Sequence, residues 1–520
     1  MDDYLLGIDV GSTNTKVALY EPTSGKVEAV ASRPTVVHHP RPGWSEYDPD
    51  ELWSNTVAAI REATEGRATS VRAIAVASMA EAGLPIDRNG QHLYPIIAWY
   101  DPRGKPQSDR WREWLGRQRL FEITGQRIHP MYSVNRLLWL RDHEPDVLRN
   151  AYKWLCVQDF VLWKLSGEYA TDYTIASRTM AFDQRKLQWS PVVLDITGLR
   201  TTLFPRAYES GTAVGRITPG AAAKTGLPRE TIVATGGMDH FCGALAAGIL
   251  GSGSLFNSMG TAEAYLVVAD RFTPHEDLIR HGYTHFTYVV PGHYAVLGTL
   301  VAGGAFLNWL VHCLYSELGG SSEVENRAFA GALLDAEKVR PGSDGVFWAP
   351  YLHGDVCPWQ DISAKAAVIG LRAIHGRGHL VRAALESLCY WLRENLELIT
   401  DTIAVAKDSD IVAIGGGTRS HLWMQIKADV TGRRVRVVDL PETVAVGAAL
   451  LAGVGSGVFP SLSAAVDSVV RPFTVYEPHA ERMKTYDQCY RLIYHDLYST
   501  LRPMNSRIEE LFWTEGELSQ

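Results

Sequence analysis

The chain has 520 residues, 46% of them hydrophobic, and a formal net charge of -8. That length exceeds what one hydrophobic core serves, and the apolar content can fill two, so two large domains are expected. The acidic balance argues against a nucleic-acid surface, which needs a basic face to neutralise phosphates, so any phosphate ligand must be met by a few local cations.

The chain starts Met1-Asp2-Asp3 and enters an apolar strand at once, without the basic start or cleavage site of a signal peptide, so a cytoplasmic protein is expected. Residues 4–10 read as a strand, Gly11-Ser12-Thr13-Asn14-Thr15-Lys16 as a polar turn, and residues 17–20 as a second strand. A third strand over 27–32 follows the turn Thr23-Ser24-Gly25-Lys26, which makes the start a meander rather than a β-α-β unit. Asp48 as cap, Pro49 at the first helical position, Glu51 three residues after the cap, and Leu52, Trp53, Val57 and Ile60 on one face predict the first helix. A buried strand over 71–77 leads into Ser78-Met79-Ala80-Glu81, and Pro95-Ile96-Ile97-Ala98 leads into Trp99-Tyr100-Asp101-Pro102-Arg103.

Strand and helix alternate until an apolar strand over 231–235 runs into Gly236-Gly237-Met238-Asp239 and a helical stretch to Ala247. A first domain is expected over 1–247. The second half starts as the first did, with a strand over 254–258, the turn Met259-Gly260-Thr261-Ala262 and a strand over 263–268. A helix over 380–400, a strand over 411–414 ending in Gly415-Gly416-Gly417, a helix from Ser420 and a strand over 435–438 complete an α/β second domain, expected over 248–476. A helical tail is expected over 477–520. The stretches 285–316 and 443–466 carry no Asp, Glu, Lys or Arg, but Gly, Pro, Ser or Asn interrupt both. They are expected to pack at the interface between domains, not to span a membrane. The six cysteines (Cys156, Cys242, Cys313, Cys357, Cys389 and Cys489) have no zinc-site spacing and are expected to be reduced and mostly buried.

A triphosphate needs closely spaced backbone N–H groups, small residues, hydroxyl donors and a carboxylate for its magnesium ion, and Asp9 through Lys16 offers all of these. No Walker A loop is present, and no G-x-G-x-x-G opens a β-α-β unit. Such residues suit any turn. Two such turns, each opening one half, fit two loops that clamp a nucleotide's phosphates across a cleft. Gly415-Gly416-Gly417 is either a tight strand-to-helix turn or a place where a purine or ribose lies flat on backbone.

Asp239 stands where α/β sheets place ligand groups. It can act as the base that takes a proton from a hydroxyl in line with the γ-phosphoryl group, or it can cap the helix at Phe241. Glu81, Trp99 and Asp101 suit a polyhydroxylated ligand, since acids accept hydroxyl donors and an indole covers a C–H face. Alternatively Trp99 is core and Asp101-Pro102-Arg103 a solvated turn.

Taken in order, Gly7-Ile8-Asp9-Val10-Gly11-Ser12-Thr13-Asn14-Thr15-Lys16, Trp44-Ser45-Glu46-Tyr47-Asp48-Pro49, Trp99-Tyr100-Asp101, Gly236-Gly237-Met238-Asp239, Met259-Gly260-Thr261, Gly354-Asp355, Gly415-Gly416-Gly417 and Gly447-Ala448-Ala449 resemble the FGGY family of carbohydrate kinases, on the fold shared with actin and the heat-shock chaperone ATPases. The resemblance implies two ribonuclease-H-like α/β domains around a central cleft, with sugar mostly on the first and Mg-ATP mostly on the second. It puts Asp9 and Asp239 at a magnesium ion, Gly11, Ser12, Thr13, Asn14 and Lys16 on the ATP phosphates, Gly260 and Thr261 on the opposite phosphate loop, and Gly416, Gly417 and Ser420 beside the adenosine. Asp239 falls on the family's catalytic base, and Glu81 and Trp99 on sugar-contacting positions.

Departures bear on the acceptor. The arginine that precedes the glutamate in glycerol-phosphorylating members is Ala80 here, and their glycerol-contacting tyrosine is Met131. The methionine-histidine pair of xylulose-phosphorylating members is Ala80-Glu81, and the asparagine after their base is His240. The usual Gly-Glu-Arg of the second domain reads Gly354-Asp355-Val356. The resemblance therefore implies transfer from ATP to a small sugar or polyol, a ketopentose or a tetritol or pentitol rather than glycerol, with Asp101, Met131 and His240 also lining the pocket. A sugar-sensing pseudokinase, or a chaperone or filament ATPase, are the competing readings. A homodimer is compatible with the sequence, which names no oligomeric state.

Overall fold

The structure is a computed structural model describing residues 3–512 apart from 302, 316–321, 401, 404, 406 and 407; Ser316 and the tail from 513 thus lie outside the described residues. Two sheets organise the chain. In the first, β1 (Tyr4–Val10), β2 (Asn14–Glu21) and β3 (Lys26–Pro34) form an antiparallel meander. Against β1 lies β4 (Val71–Ser78) in parallel, and β5 (Ala213–Arg216) closes the edge beside β6 (Ile232–Met238), which is parallel to β4.

The second sheet repeats the plan. β7 (Leu255–Met259) and β8 (Glu263–Ala269) are antiparallel; β9 (Thr284–Thr287) lies outside β10 (Tyr294–Leu300), which pairs with β8. β11 (Ile411–Ile414) and β12 (Val435–Val438) extend it in parallel from β7, and β13 (Phe473–Tyr476) ends it antiparallel. In both sheets antiparallel strands, three in the first and four in the second, are followed by two parallel strands and an antiparallel edge.

Local chemistry explains where the first helix begins. The Asp48 carboxylate accepts the N–H groups of Asp50 and Glu51, and Pro49 opens α1 (Pro49–Ala63). Glu51 does not complete a capping box: its carboxylate meets His38 at 3.0 Å instead. Leu52, Trp53, Thr56, Ala59 and Ile60 are buried, and Val57 only half-buried.

Two helices join the halves. α2 (Asp239–Ala246) leaves the first sheet, and α6 (Thr443–Gly455), the second uncharged stretch, crosses back over it. A Cβ at Gly447 would stand 1.9 Å from the Cys242 carbonyl oxygen, and one at Gly7 would stand 1.7 Å from that of Ala445. The two cores expected from composition are therefore connected: Leu5 and Ala75 of the first sheet, Leu245 of α2, Phe256 of the second sheet and Leu450 of α6 belong to one apolar cluster.

In the second half, α3 (Gly303–Tyr315), α4 (Arg377–Thr400) and α5 (His421–Thr431) cover the sheet. The tail forms α7 (Ala480–Cys489) and α8 (His495–Phe512), and it packs on this half. Tyr486 bonds Glu386 and Arg382 of α4, and Asp487 bonds Arg393. No helix among the described residues is long and apolar enough to cross a membrane. All six cysteines are free; Cys313 is exposed, Cys489 half-buried and the rest buried.

Candidate active site

Strand register brings the expected acids together. Asp9 faces Lys16 across β1 and β2 and sits beside Ala77 of β4, while Gly237 of β6 lies on the other side of Ala77. Asp9, Lys16 and Asp239 therefore emerge at one edge of the first sheet. Gly236 and Gly237 lie inside β6, since a Cβ at 236 would come within 1.9 Å of the Val76 carbonyl oxygen. Asp239 is the first residue of α2. Its Oδ1 accepts the His240 N–H at 2.6 Å, and the cap on Phe241 does not form.

Oδ1 of Asp9 is buried and has no hydrogen-bond partner. Burial, and then the neighbouring Asp239, push the Asp9 pKa up to about 8 against the pull of Lys16. The Lys16 ammonium reaches Glu442 at 2.8 Å, at the start of α6, where Glu442 holds a left-handed backbone with φ 48°.

The two glycine turns close alike. Gly11 N–H donates to the Asn14 carbonyl at 3.0 Å, and Gly260 N–H to that of Ala262 at 3.0 Å. Thr13, Gly260 and Thr261 are exposed, and Ala305 at the start of α3 donates to the Thr261 carbonyl. Beneath the second turn, buried Lys427 bonds Asn257 and Glu263 on the strands that flank it.

A cavity of about 880 Å³ adjoins this turn, lined among others by Gly260, Thr261, Gly416, Gly417, Ser420 and Trp309. Gly415 takes φ 99° with the Met259 carbonyl 2.6 Å from where a Cβ would sit, so only glycine fits that turn. Gly416 has open space on the same test, whereas Gly417 packs under Trp423. The Ser420 hydroxyl accepts the Trp423 N–H as the cap of α5, and the residue still lines the cavity.

Beside the first glycine turn, the Trp99 indole donates to the Ser12 hydroxyl at 2.9 Å, which ties the expected aromatic wall to that turn. Glu81 is buried, and its Oε1 takes Nε of Arg178 at 2.5 Å together with Nη2. Arg178 also donates to Gln126 and faces the Met131 sulfur at 3.7 Å. Arg136, wholly buried, donates to the carbonyls of Ala98, Trp99 and Met131 and so holds two of the expected residues in place. His240 is half-buried in the first turn of α2.

Asp101 corrects an expectation. Its side chain is 0% exposed, and its two oxygens accept the Ser45 N–H, the Arg103 N–H and the Nε and Nη2 donors of the Arg103 guanidinium at 2.7–2.9 Å. It has no surface to offer a sugar, nor is the turn solvated, because Arg103 also bonds Glu46 and lies 4.0 Å over the Trp44 ring. Asp101 is the centre of a buried scaffold beneath the wall.

Arg178, Arg136 and Gln126 escaped the sequence reading. The available signal was a lone charge in each of two apolar settings: Arg178 in the otherwise uncharged run from Tyr173 to Phe182, and Arg136 before Leu137-Leu138-Trp139-Leu140.

Two sheets of repeated plan, a pair of glycine turns at their edges and a carboxylate pair beside them define a two-lobed phosphotransferase. Residues 4–246 match the model of the N-terminal domain, and 255–456 that of the C-terminal domain, of the FGGY family of carbohydrate kinases, to which this chain belongs. It is similar to the xylulose kinase of Bacillus subtilis strain 168, 29% identical over 97% of this chain and 99% of that one. It is also similar to the gluconokinase of the same organism, 26% identical over 93% and 94%. The crystal structure of xylulose kinase from Rhodospirillum rubrum superposes with a TM-score of 0.87 at 30% identity, covering 97% of this chain and 100% of the other. The chain is thus an ATP-dependent sugar kinase, with an alcohol group as phosphoryl acceptor.

Proposed function

We propose that Asp239 is the base that takes the proton from the acceptor hydroxyl as it attacks the γ-phosphoryl group of ATP. The observation that supports this most is the placement of Asp239 beside Asp9, whose buried Oδ1 has no protein donor. Such a carboxylate fits a magnesium ion, which keeps several waters and takes one or two carboxylates besides phosphate oxygens. Asp9, with Asp239, would hold the ion; when bound it neutralises charge on the phosphates. Lys16 and the turn of Gly11, Ser12, Thr13 and Asn14 meet the transferred phosphate from the first half. Gly260 and Thr261 meet the phosphates from the second, and the adenosine fills the cavity by Gly416, Gly417 and Ser420. Residues 1–247 carry the acceptor and 248–476 the nucleotide, and the described part of the tail, 477–512, buttresses the latter.

Glu81, Trp99, Met131 and His240 surround the acceptor, a polyol or ketose of roughly four to six carbons enclosed when the lobes close and water leaves. The named substrates of the relatives, xylulose and gluconate, lie within that size. A panel of tetritols, pentitols, ketopentoses and ketohexoses with Mg-ATP would identify it, and turnover of glycerol alone would refute the pocket reading. Asp239→Asn is expected to keep ATP affinity while kcat falls about a hundredfold or more, as when a general base is lost. Turnover near that of the unaltered enzyme would remove Asp239 from this role.

A further inference from the structure

Arg178 is 4% exposed, yet it lies on a short segment far in sequence from the residues it touches. Both of its contacts with Glu81 fall on one oxygen, Oε1. Oε2 of Glu81 has no protein donor among the described residues. The remaining guanidinium nitrogen is occupied by Gln126 Oε1 at 3.1 Å, and Nη2 also faces the Met131 sulfur. The guanidinium plane is held between the rings of Tyr132, at 5.2 Å, and Phe286, at 5.3 Å, one from each half of the chain. Behind Glu81, Ser133 fixes the backbone by donating to its carbonyl at 2.9 Å.

A buried carboxylate without a cation would be strongly disfavoured, and one with a freely rotating cation would have no fixed lone pair. Here the fork and its two ring contacts remove both problems at once. We propose that Arg178 is a positioning residue for acceptor recognition: it fixes the Glu81 carboxylate through Oε1 so that Oε2 faces the acceptor as a pure hydrogen-bond acceptor for one sugar hydroxyl. Arg178 itself does not touch the substrate. The site then demands a hydroxyl donor at that point, because an analogue lacking it leaves the Oε2 of a buried carboxylate without a donor. This rests on the assignment of Glu81 to the acceptor pocket.

The test uses the full-length enzyme and, as acceptor, the member of the panel above with the highest kcat/KM. Arg178→Gln is expected to raise the acceptor KM about tenfold or more while the KM for ATP stays within about twofold, the scale of a lost charge-assisted hydrogen bond. Arg178→Lys, which keeps the charge but not the fork, is expected to fall between the two. In the Glu81→Gln background, adding Arg178→Gln is expected to cost little more, since both act through one contact. An unchanged acceptor KM in folded Arg178→Gln, or fully additive losses in the double variant, would overturn the proposal. Where Arg178→Gln does not fold, Arg178→Lys decides: a raised acceptor KM supports the proposal and an unaltered one overturns it. An inactive Asp239→Asn together with an unchanged acceptor KM in the Arg178 variants would sink this inference alone, whereas an active Asp239→Asn would sink the site reading beneath it.

Discussion

Asp239 and Asp101 illustrate how two aspartates at strand or turn ends come to do different work. Asp239 is half-buried at the start of α2 with one oxygen on its neighbour's N–H, so the other is available to a ligand. Asp101 has both oxygens saturated by Ser45 and Arg103. Asp101→Asn would leave the buried Arg103 guanidinium facing Glu46 alone, and breaking one partner of a buried pair costs about 3–5 kcal/mol. A clear drop in melting temperature with an unchanged acceptor KM in the surviving folded enzyme is expected, and thermal melts beside steady-state kinetics would show it. A stable variant with a strongly raised KM would return Asp101 to the pocket. The position of Asp239 was legible in the sequence because a buried strand, two glycines and a helix announce a strand end. The fate of Asp101 was not, because Ser45, which bonds it, and Glu46, which bonds its partner Arg103, are brought in by the tertiary fold beside strands only two residues long, which carry no periodicity.

At the scale of elements, turns and caps spoke clearly: Asp48 and Pro49 opened α1, and both glycine turns closed where the strands predicted. α4 begins at Arg377, three residues before the predicted start, within the usual uncertainty of helix ends. What no local pattern conveyed was the crossing of α2 and α6. Gly447→Ala is expected to lower stability by several degrees or more in a melting experiment, because the added methyl group meets main chain that cannot swing aside. A second element-scale expectation concerns α4 and the tail. Burial raises the Glu394 pKa to about 8 and that of Asp355, in the Gly354-Asp355-Val356 departure, to about 7. The folded state thus prefers both acids protonated, whereas the unfolded chain releases their protons near pH 4. Their favourable contribution is complete below that point and is lost as pH climbs through 7–8. Melting temperature should therefore fall between pH 5 and 8 by more in the unaltered protein than in Glu394→Gln, and equal slopes would contradict this.

For the whole molecule, duplication of the sheet plan was visible early as two strand-turn-strand openings, and the family's ordered motifs extended it across the chain. The seam between the halves was not visible, since it depends on pairs hundreds of residues apart. Lys16 and Glu442 are such a pair: the cation of the first turn is already engaged by a carboxylate that opens a helix of the other half. On the proposed assignment of Lys16 to the transferred phosphate, an incoming nucleotide must win a contest for one ammonium group. Partly exposed pairs of this kind contribute about 0.5–1 kcal/mol. Glu442→Gln should accordingly lower the KM for ATP about two- to fivefold at low ionic strength, with the gain vanishing in about 0.5 M salt as screening mutes the contest; a raised KM would show that Glu442 helps the nucleotide. If Lys16 meets the phosphates as proposed, the resting enzyme carries its own reversible competitor for ATP, a tether that discourages occupancy at low nucleotide concentration and gives way when ATP is plentiful.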